Sequence, residues 1–377
     1  MKRLIITLCI LAYGYHDAKS QLTPLSDNPE SKKLILATLD QIYNFHFEQA
    51  VKDCEKVKLK LPNHPIYHML MAMNLDWQWE PTLDDNVKLK QIIAHLNSAV
   101  SEANTILNKQ KKNDAEVMFI YFTAQGFLAR VHSFLNEYLK AVQYSNNAYG
   151  YVKKGFTLKD KFTDFNFSTG MYNYYREKYP ELHPMVKPLA GLLEAGNVEL
   201  GIKQLKYTYQ HSLFSKIEAA NYLVNIYFKY ESKPQEVMPM LEEVVKTYPD
   251  NLFFVSKYVE GLLWTGKTEG VANYIRKLQT SGLPYYIMCS HLFQAKIYNK
   301  SAKYDEALKE CKLAEGYYKK CPKIKDNMPG YLYMAYGIAY DGKGNKVEAM
   351  KNFKLAASKA EYPITMLEAK KRQEKHK

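Results

Sequence analysis

The sequence predicts an all-α fold, an α-solenoid of about eight antiparallel helix pairs. Three observations carry that prediction. One set of offsets recurs: Gly337, Tyr340, Ala349, Phe353 and Ala356 stand at 0, 3, 12, 16 and 19, and Ala295, Tyr298, Ala307, Cys311 and Ala314 repeat them. Glycine and proline are sparse, 17 and 15 in 377 residues, and between them apolar residues recur at the three and four spacing of amphipathic helices. The two-residue alternation of half-buried strands is almost absent. Small residues at fixed places in a copied hairpin mean closely packed helices. One hairpin of about 34 residues cannot bury its apolar face alone, so copies stack and share a core.

The elements run in order. Lys2 and Arg3 precede the apolar run 4–12, and Ala18-Lys19-Ser20 closes it with small residues. That order predicts an export signal over 1–20, cleaved before Gln21, with an apolar run too short to span a bilayer. Cys9 lies within that run after Leu8, so a lipoprotein reading is not supported. The protein is therefore expected to be exported, periplasmic or secreted, and no later stretch is apolar enough for a membrane span.

The repeat region is expected over 28–360. The first pair is 32–46 with 48–60, closed by Pro62, twelve residues after Ala50. The second is 65–79 with 87–108, broken at Glu80-Pro81-Thr82. In the third, 115–135 with 138–153, Ala129, Ala141 and Ala148 hold the small-residue places. The fourth, about 163–212, is irregular. The fifth is 216–231 with 234–247 and ends at Tyr248-Pro249-Asp250-Asn251; the sixth is 251–264 with 268–280. The seventh and eighth are the two clear copies. Residues 361–377 form a basic tail, with Lys370, Lys371, Arg372, Lys375 and Lys377 beside Glu368 and Glu374. It is expected as a solvated helix end, with docking on an acidic surface as the alternative.

Tyr304-Asp305-Glu306-Ala307-Leu308, and Asp341-Gly342-Lys343-Gly344-Asn345 with Ala349 after it, resemble the tetratricopeptide repeat family. That resemblance implies a right-handed superhelix with a concave binding face. Within the irregular unit, Gly170-Met171-Tyr172-Asn173-Tyr174-Tyr175 leads through Tyr179-Pro180 to Gly196-Asn197-Val198-Glu199-Leu200-Gly201-Ile202. This stretch resembles exported bacterial tetratricopeptide proteins and, more faintly, is similar to the eukaryotic inclusion-body-clearance proteins of the same repeat class.

Several patterns invite chemical readings. Gly261 to Thr268 satisfies the GxxxxGK[ST] phosphate-loop spacing. Its intervening residues are bulky and apolar, however, and a helical run precedes it where that chemistry needs a strand. His64 and His68 are four apart, but Pro65 sets His64 at a helix start and no third ligand completes a metal site. His183 stands near Glu181 without a nucleophile placed by sequence. Cys54, Cys289, Cys311 and Cys321 form no CxxC pair and read as small buried residues. Export permits a disulfide, and Cys311 and Cys321 are placed to meet if the chain turns back after Lys320.

Trp77 and Trp79, two apart, cannot share a helix face, so one is expected in the core and the other beside a groove or at the bend before Pro81. Tyrosine is abundant, 32 of 377. The repeat register puts Arg130, Tyr222, Ile226, Lys229, Phe293, Lys296 and Tyr331 on the inner face of first helices. Of these, Arg130, Tyr222, Lys229, Lys296 and Tyr331 are the expected ligand-binding residues, an aromatic and basic lining suited to an acidic peptide or anionic polymer.

The formal charge of +13 is spread along the chain, and removal of 1–20 lowers it by two. No nucleic-acid motif accompanies it. The expectation is a monomeric, non-enzymatic binding scaffold of the cell envelope with a protein or peptide partner, an acidic one among them. No cofactor, metal or catalytic residue is implied. Two rivals are an enzyme or enzyme subunit using the insert 163–190, and a glycan- or lipid-handling protein using an aromatic platform around Trp77 and Trp79.

Overall fold

A computed structural model describes residues 25, 28–110, 114–160, 162–182, 184–191 and 193–375. Helices run in order: α1 (Pro29–Tyr43), α2 (Phe47–Lys60), α3 (Ile66–Trp79), α4 (Asn86–Gln110), α5 (Ala115–Phe134) and α6 (Tyr138–Leu158). The irregular unit holds α7 (Phe165–Leu182), the short α8 (Lys187–Ala190) and α9 (Val198–His211). Next, α10 (Lys216–Asn225) runs into a π turn, Ile226–Tyr230, and a 3-10 turn, Pro234–Val237, leads into α11 (Met238–Thr247). Then come α12 (Leu252–Trp264), α13 (Val271–Gln279), α14 (Pro284–Lys300), α15 (Tyr304–Tyr318), α16 (Met328–Gly342), α17 (Lys346–Lys359) and α18 (Pro363–Glu374). There is no strand among the described residues. The fold is an all-α solenoid of helix pairs. The export signal, Cys9, the start at Gln21 and His183 lie outside the described residues.

Local chemistry sets the boundaries. Asn28, Asp114, Asn197, Asn251 and Asn345 each accept the backbone N–H three residues on, capping α1, α5, α9, α12 and α17. Small residues then set how closely helices approach. A Cβ on Gly337 would stand 2.5 Å from the Phe353 ring, which is why α16 and α17 pair so tightly. Ala307, Cys311, Ala314, Ala349 and Ala356 are fully buried in the two C-terminal pairs.

The glycines of the irregular unit have the same role. A Cβ on Gly201 would lie 2.7 Å from the Tyr174 nitrogen, and one on Gly196 would lie 2.6 Å from the Asn173 carbonyl oxygen. So α9 crosses α7 almost backbone to backbone. Asn173 donates to Gln204 at 2.8 Å and Gln204 donates to Thr169 at 2.9 Å, locking the crossing.

The sequence expectations differ from the structure at several places. The stretch 361–377 is not all solvated tail. Thr365 and Ala369, four apart, are buried along α18, which packs on α17, and Gln373 donates to the Phe353 carbonyl at 3.1 Å. Cys311 and Cys321 are buried free thiols, with Cys311 pushed up to about 12 by burial. Ile226 and Phe293 belong to the core, not to an inner surface. Gly261 sits within α12 against Met238 and Phe228, and Gly266 forms the turn beyond it at φ +79°, so the phosphate-loop spacing is a helix and then a turn.

First helices of successive pairs touch one another, α1 on α3, α3 on α5, α12 on α14 and α14 on α16. They form the inner layer. The chain then comes round on itself. Tyr248 donates to Asp40 at 2.8 Å, Asn251 donates to the Tyr43 carbonyl at 2.8 Å, and the Asp250 N–H donates to Asn44 at 3.1 Å. Trp77 packs on Phe253 and Phe254, with ring centres 5.6 and 5.9 Å apart. Further along, Lys323 pairs with Asp84 at 2.6 Å. The concave face is thereby partly enclosed.

Candidate functional site

Closure leaves a chamber of about 500 Å³ at the centre of the inner layer. Its walls come from α1, α3, α5, α7, α10, α12, the start of α14 and the segments before α10, α16 and α18. Its apolar surface is soft and aromatic, including Met69, Met73, Phe119, Phe122, Phe167 and Met171. Thioethers and rings of this kind adapt to a ligand's shape. The entrance to α10 is fixed by Asp164, whose carboxylate accepts the N–H groups of Leu213, Phe214 and Ser215 at 3.0, 2.9 and 2.7 Å.

Charged groups converge on this apolar surface. Arg130 on α5 donates to Asp76 at 2.6 Å and to Glu80 at 2.8 Å, one helical turn apart at the end of α3. Its guanidinium also lies 4.5 Å over the Phe127 ring. Glu218 on α10 accepts from Trp77 Nε1 and from the Tyr43 hydroxyl, both at 3.3 Å. Burial pushes the carboxyls of Asp76 and Glu218 above the usual carboxylate range, with Arg130 pulling both back. Tyr222, one turn beyond Glu218, packs against Phe167 and Tyr175.

A second group lies across the chamber. Lys229 pairs with Glu361 at 2.9 Å. Lys257 is buried; it donates to Glu260 at 2.9 Å and to the Tyr362 hydroxyl at 3.1 Å. Burial works to lower the Lys257 pKa, but Glu260, Tyr362 and Asp326 hold it well above the usual lysine value. Tyr331 completes this network by donating to Glu260 at 2.9 Å.

Of the five residues expected from sequence to bind ligand, Arg130, Tyr222 and Lys229 line the chamber. Lys296 and Tyr331 do not: Tyr331 lies behind Tyr362, and the Lys296 ammonium stands 5.5 Å from the Tyr331 ring. Nor is the lining a free basic surface, because Arg130 and Lys229 both face carboxylates. Trp77 lines the chamber, while Trp79 is buried against Phe134.

Sequence reasoning missed Asp76, Glu80, Glu218, Lys257 and Glu260. A signal was present. Asp76 interrupts the apolar run of α3, and Lys257 and Glu260 interrupt that of α12. An isolated charge on an otherwise apolar helix needs a buried partner.

Among the described residues that line the chamber, none is His or Cys. His64 is buried and its Nδ1 accepts the Ile66 N–H at 3.2 Å, a helix-start contact. His68 meets His95 at 2.9 Å. Among the described residues no group of three or more His, Cys, Asp or Glu is arranged to hold a metal ion. No described helix is long and apolar enough to cross a membrane.

No protein-family model and no curated protein matches this chain. Among solved structures it is similar to yeast Tom70, at 12% identity and a TM-score of 0.32 over 92% of this chain and 89% of that one. The solenoid assignment rests on the chain's own helix pairs.

Proposed function

We propose that this protein is a non-enzymatic binding scaffold that takes its ligand, a short segment of a protein partner, into the chamber enclosed by its first helices. The chamber itself carries the reading: a concave, aromatic and thioether-lined space with a few converging polar groups, within the range of about 300–1,000 Å³ usual for ligand pockets. The lining does not favour covalent chemistry. The Ser215 hydroxyl is bonded to Asp164, the Ser168 hydroxyl donates to the Phe165 carbonyl, and Lys229 and Lys257 are held in ion pairs. The signal-like order of residues 1–20 makes the cell envelope the proposed compartment, and mass spectrometry of native protein should show a chain beginning at Gln21.

Gly126 supplies a clean test. It lines the chamber, and a Cβ built there meets nothing within 4 Å. Gly126→Leu should fill the space without disturbing the core. The variant should fold as the parent does and lose the partner crosslinked to the parent in its native envelope. Equal capture of that partner by the filled variant would overturn the proposal.

A further inference from the structure

The chamber has a charge of its own. The chain as a whole is strongly basic at +13, yet the lining holds five carboxylates (Asp76, Glu80, Glu218, Asp326 and Glu361) against four cations (Arg130, Lys229, Lys257 and Lys325). The pairing is also uneven. Lys229 is taken by Glu361 and Lys257 by Glu260, while Lys325 sits 4.5 Å over the Phe134 ring. Asp76, Glu80 and Glu218 are left around the single guanidinium of Arg130. Asp76 and Glu80 occupy both of its terminal nitrogens. Glu218 receives only neutral donors, Trp77 and Tyr43, at 3.3 Å, longer than the contacts a carboxylate makes with a cation.

We infer that the ligand of this chamber carries a cationic nitrogen on an apolar body, with the nitrogen seated at Glu218 and the body against the methionines and phenylalanines. The inference rests on the binding-scaffold function proposed for the chamber and specifies its ligand. A carboxylate in a water-poor cavity is costly unless a cation or a proton neutralises it. Trp77 and Tyr222 line the same chamber, and aromatic rings attract an ammonium or guanidinium. An anionic ligand at Arg130 would displace Asp76 or Glu80 and leave that carboxylate without its partner. The required chemistry is that of a lysine or arginine side chain flanked by apolar residues, and equally that of a free alkylamine.

The test uses the whole chain and two probe series, monitored by Trp fluorescence and calorimetry. One series is acetyl-Leu-Lys-Phe-amide with its lysine replaced by norleucine and by glutamate. The other is decylammonium, decanol and decyl sulfate. The cationic member of at least one series should bind about ten- to hundredfold tighter than its neutral counterpart, the range for a hydrogen bond to a charged group. The series that shows the preference identifies the source, peptide or free amine. Glu218→Gln keeps the shape and the two donors' acceptor, so it should fold normally and lose most of the preference. The inference is overturned if neutral or anionic members bind as tightly as cationic ones in both series, or if Glu218→Gln retains the preference. Neutral binding without cation preference, blocked by Gly126→Leu, would sink the charge inference and leave the chamber reading standing. No binding by any probe, or binding indifferent to Gly126→Leu, would sink both.

Discussion

Arg130→Met should destabilise the fold, and by an amount that depends on pH. Methionine keeps an unbranched stem like that of arginine but ends short of the guanidinium, and it suits a chamber already lined by Met69, Met73 and Met171, so the change chiefly removes the charge. Two ion pairs are lost, together with the contact over the Phe127 ring. Asp76 is 17% exposed, and stranding a carboxylate at such a site approaches the cost of about 3–5 kcal/mol for breaking a buried pair. Glu80 is 43% exposed and Arg130 itself 36%, so that arm counts as a surface pair of about 0–1 kcal/mol, and solvent screening also trims the first. The net expectation is a loss of about 2–4 kcal/mol near pH 8. Asp76 and Glu218 already have carboxyls raised by burial. A group with a raised folded pKa contributes stability that is present below its unfolded value, about 4, and lost as pH rises through the folded value. Removing Arg130 raises these carboxyls further. The gap between variant and parent should therefore be widest at pH 8 and close toward pH 4. Urea titrations at several pH values measure it directly. A gap below about 1 kcal/mol at pH 8 would refute the argument. So would a gap equal at pH 8 and pH 4, since the charge of these carboxylates would then not be the cause.

Three further outcomes are expected. Gly126→Ala should raise the denaturation midpoint, by about 0.5–1 kcal/mol of stability, because the new methyl meets only open chamber and glycine weakens a helix interior. Ala349→Leu should cost about 1–3 kcal/mol through overpacking of the fully buried interface between α16 and α17, and an unchanged melting temperature would mean that this position is not a packing contact. His64 is pushed down to about 4 by burial, so the stability it contributes is present above about pH 6.5 and lost as pH falls through 4; His64→Asn should flatten the acid limb of the stability profile in that window.

The helix pairs were legible because their signals are local. Ala307 and Ala349 had to be small for the partner helix to approach, and Asn251 and Asn345 had to cap the helices α12 and α17 that they precede. Closure was not legible, because it is made by residues about two hundred apart. Nothing near Asp40 announces Tyr248, and nothing near Tyr43 announces Asn251. The candidate site divides along the same line. Arg130, Tyr222 and Lys229 face inward because helical register is a local property. Lys296 shares the register but falls ten residues past Tyr286, the chamber residue of α14, or about 15 Å further along the helix axis. Register gives a face; it does not say how far along that face the enclosed space extends. The partners of each cation were invisible for the same reason, since Asp76 meets Arg130 only when α3 and α5 pack.

Closure also changes what the lining charges mean. On an open concave surface Arg130 and Lys229 would be hydrated, and salt would confine their reach to about 8–10 Å. That setting favours an anionic partner drawn in by a basic chain. In the less exposed parts of the chamber, around Asp76 and Lys257, the medium is poorer in water and a charge needs a close partner. Arg130 and Lys229 are answered by Asp76, Glu80 and Glu361. Glu218 takes its hydrogen bonds only from the dipoles of Trp77 and Tyr43, with the charge of Arg130 nearby but already paired. The same closure that satisfies the cations thus leaves one carboxylate whose best partner is not in the chain. A glutamine there would keep both hydrogen bonds without the cost of a buried charge, so the carboxylate is a structural expense that a cationic ligand would offset.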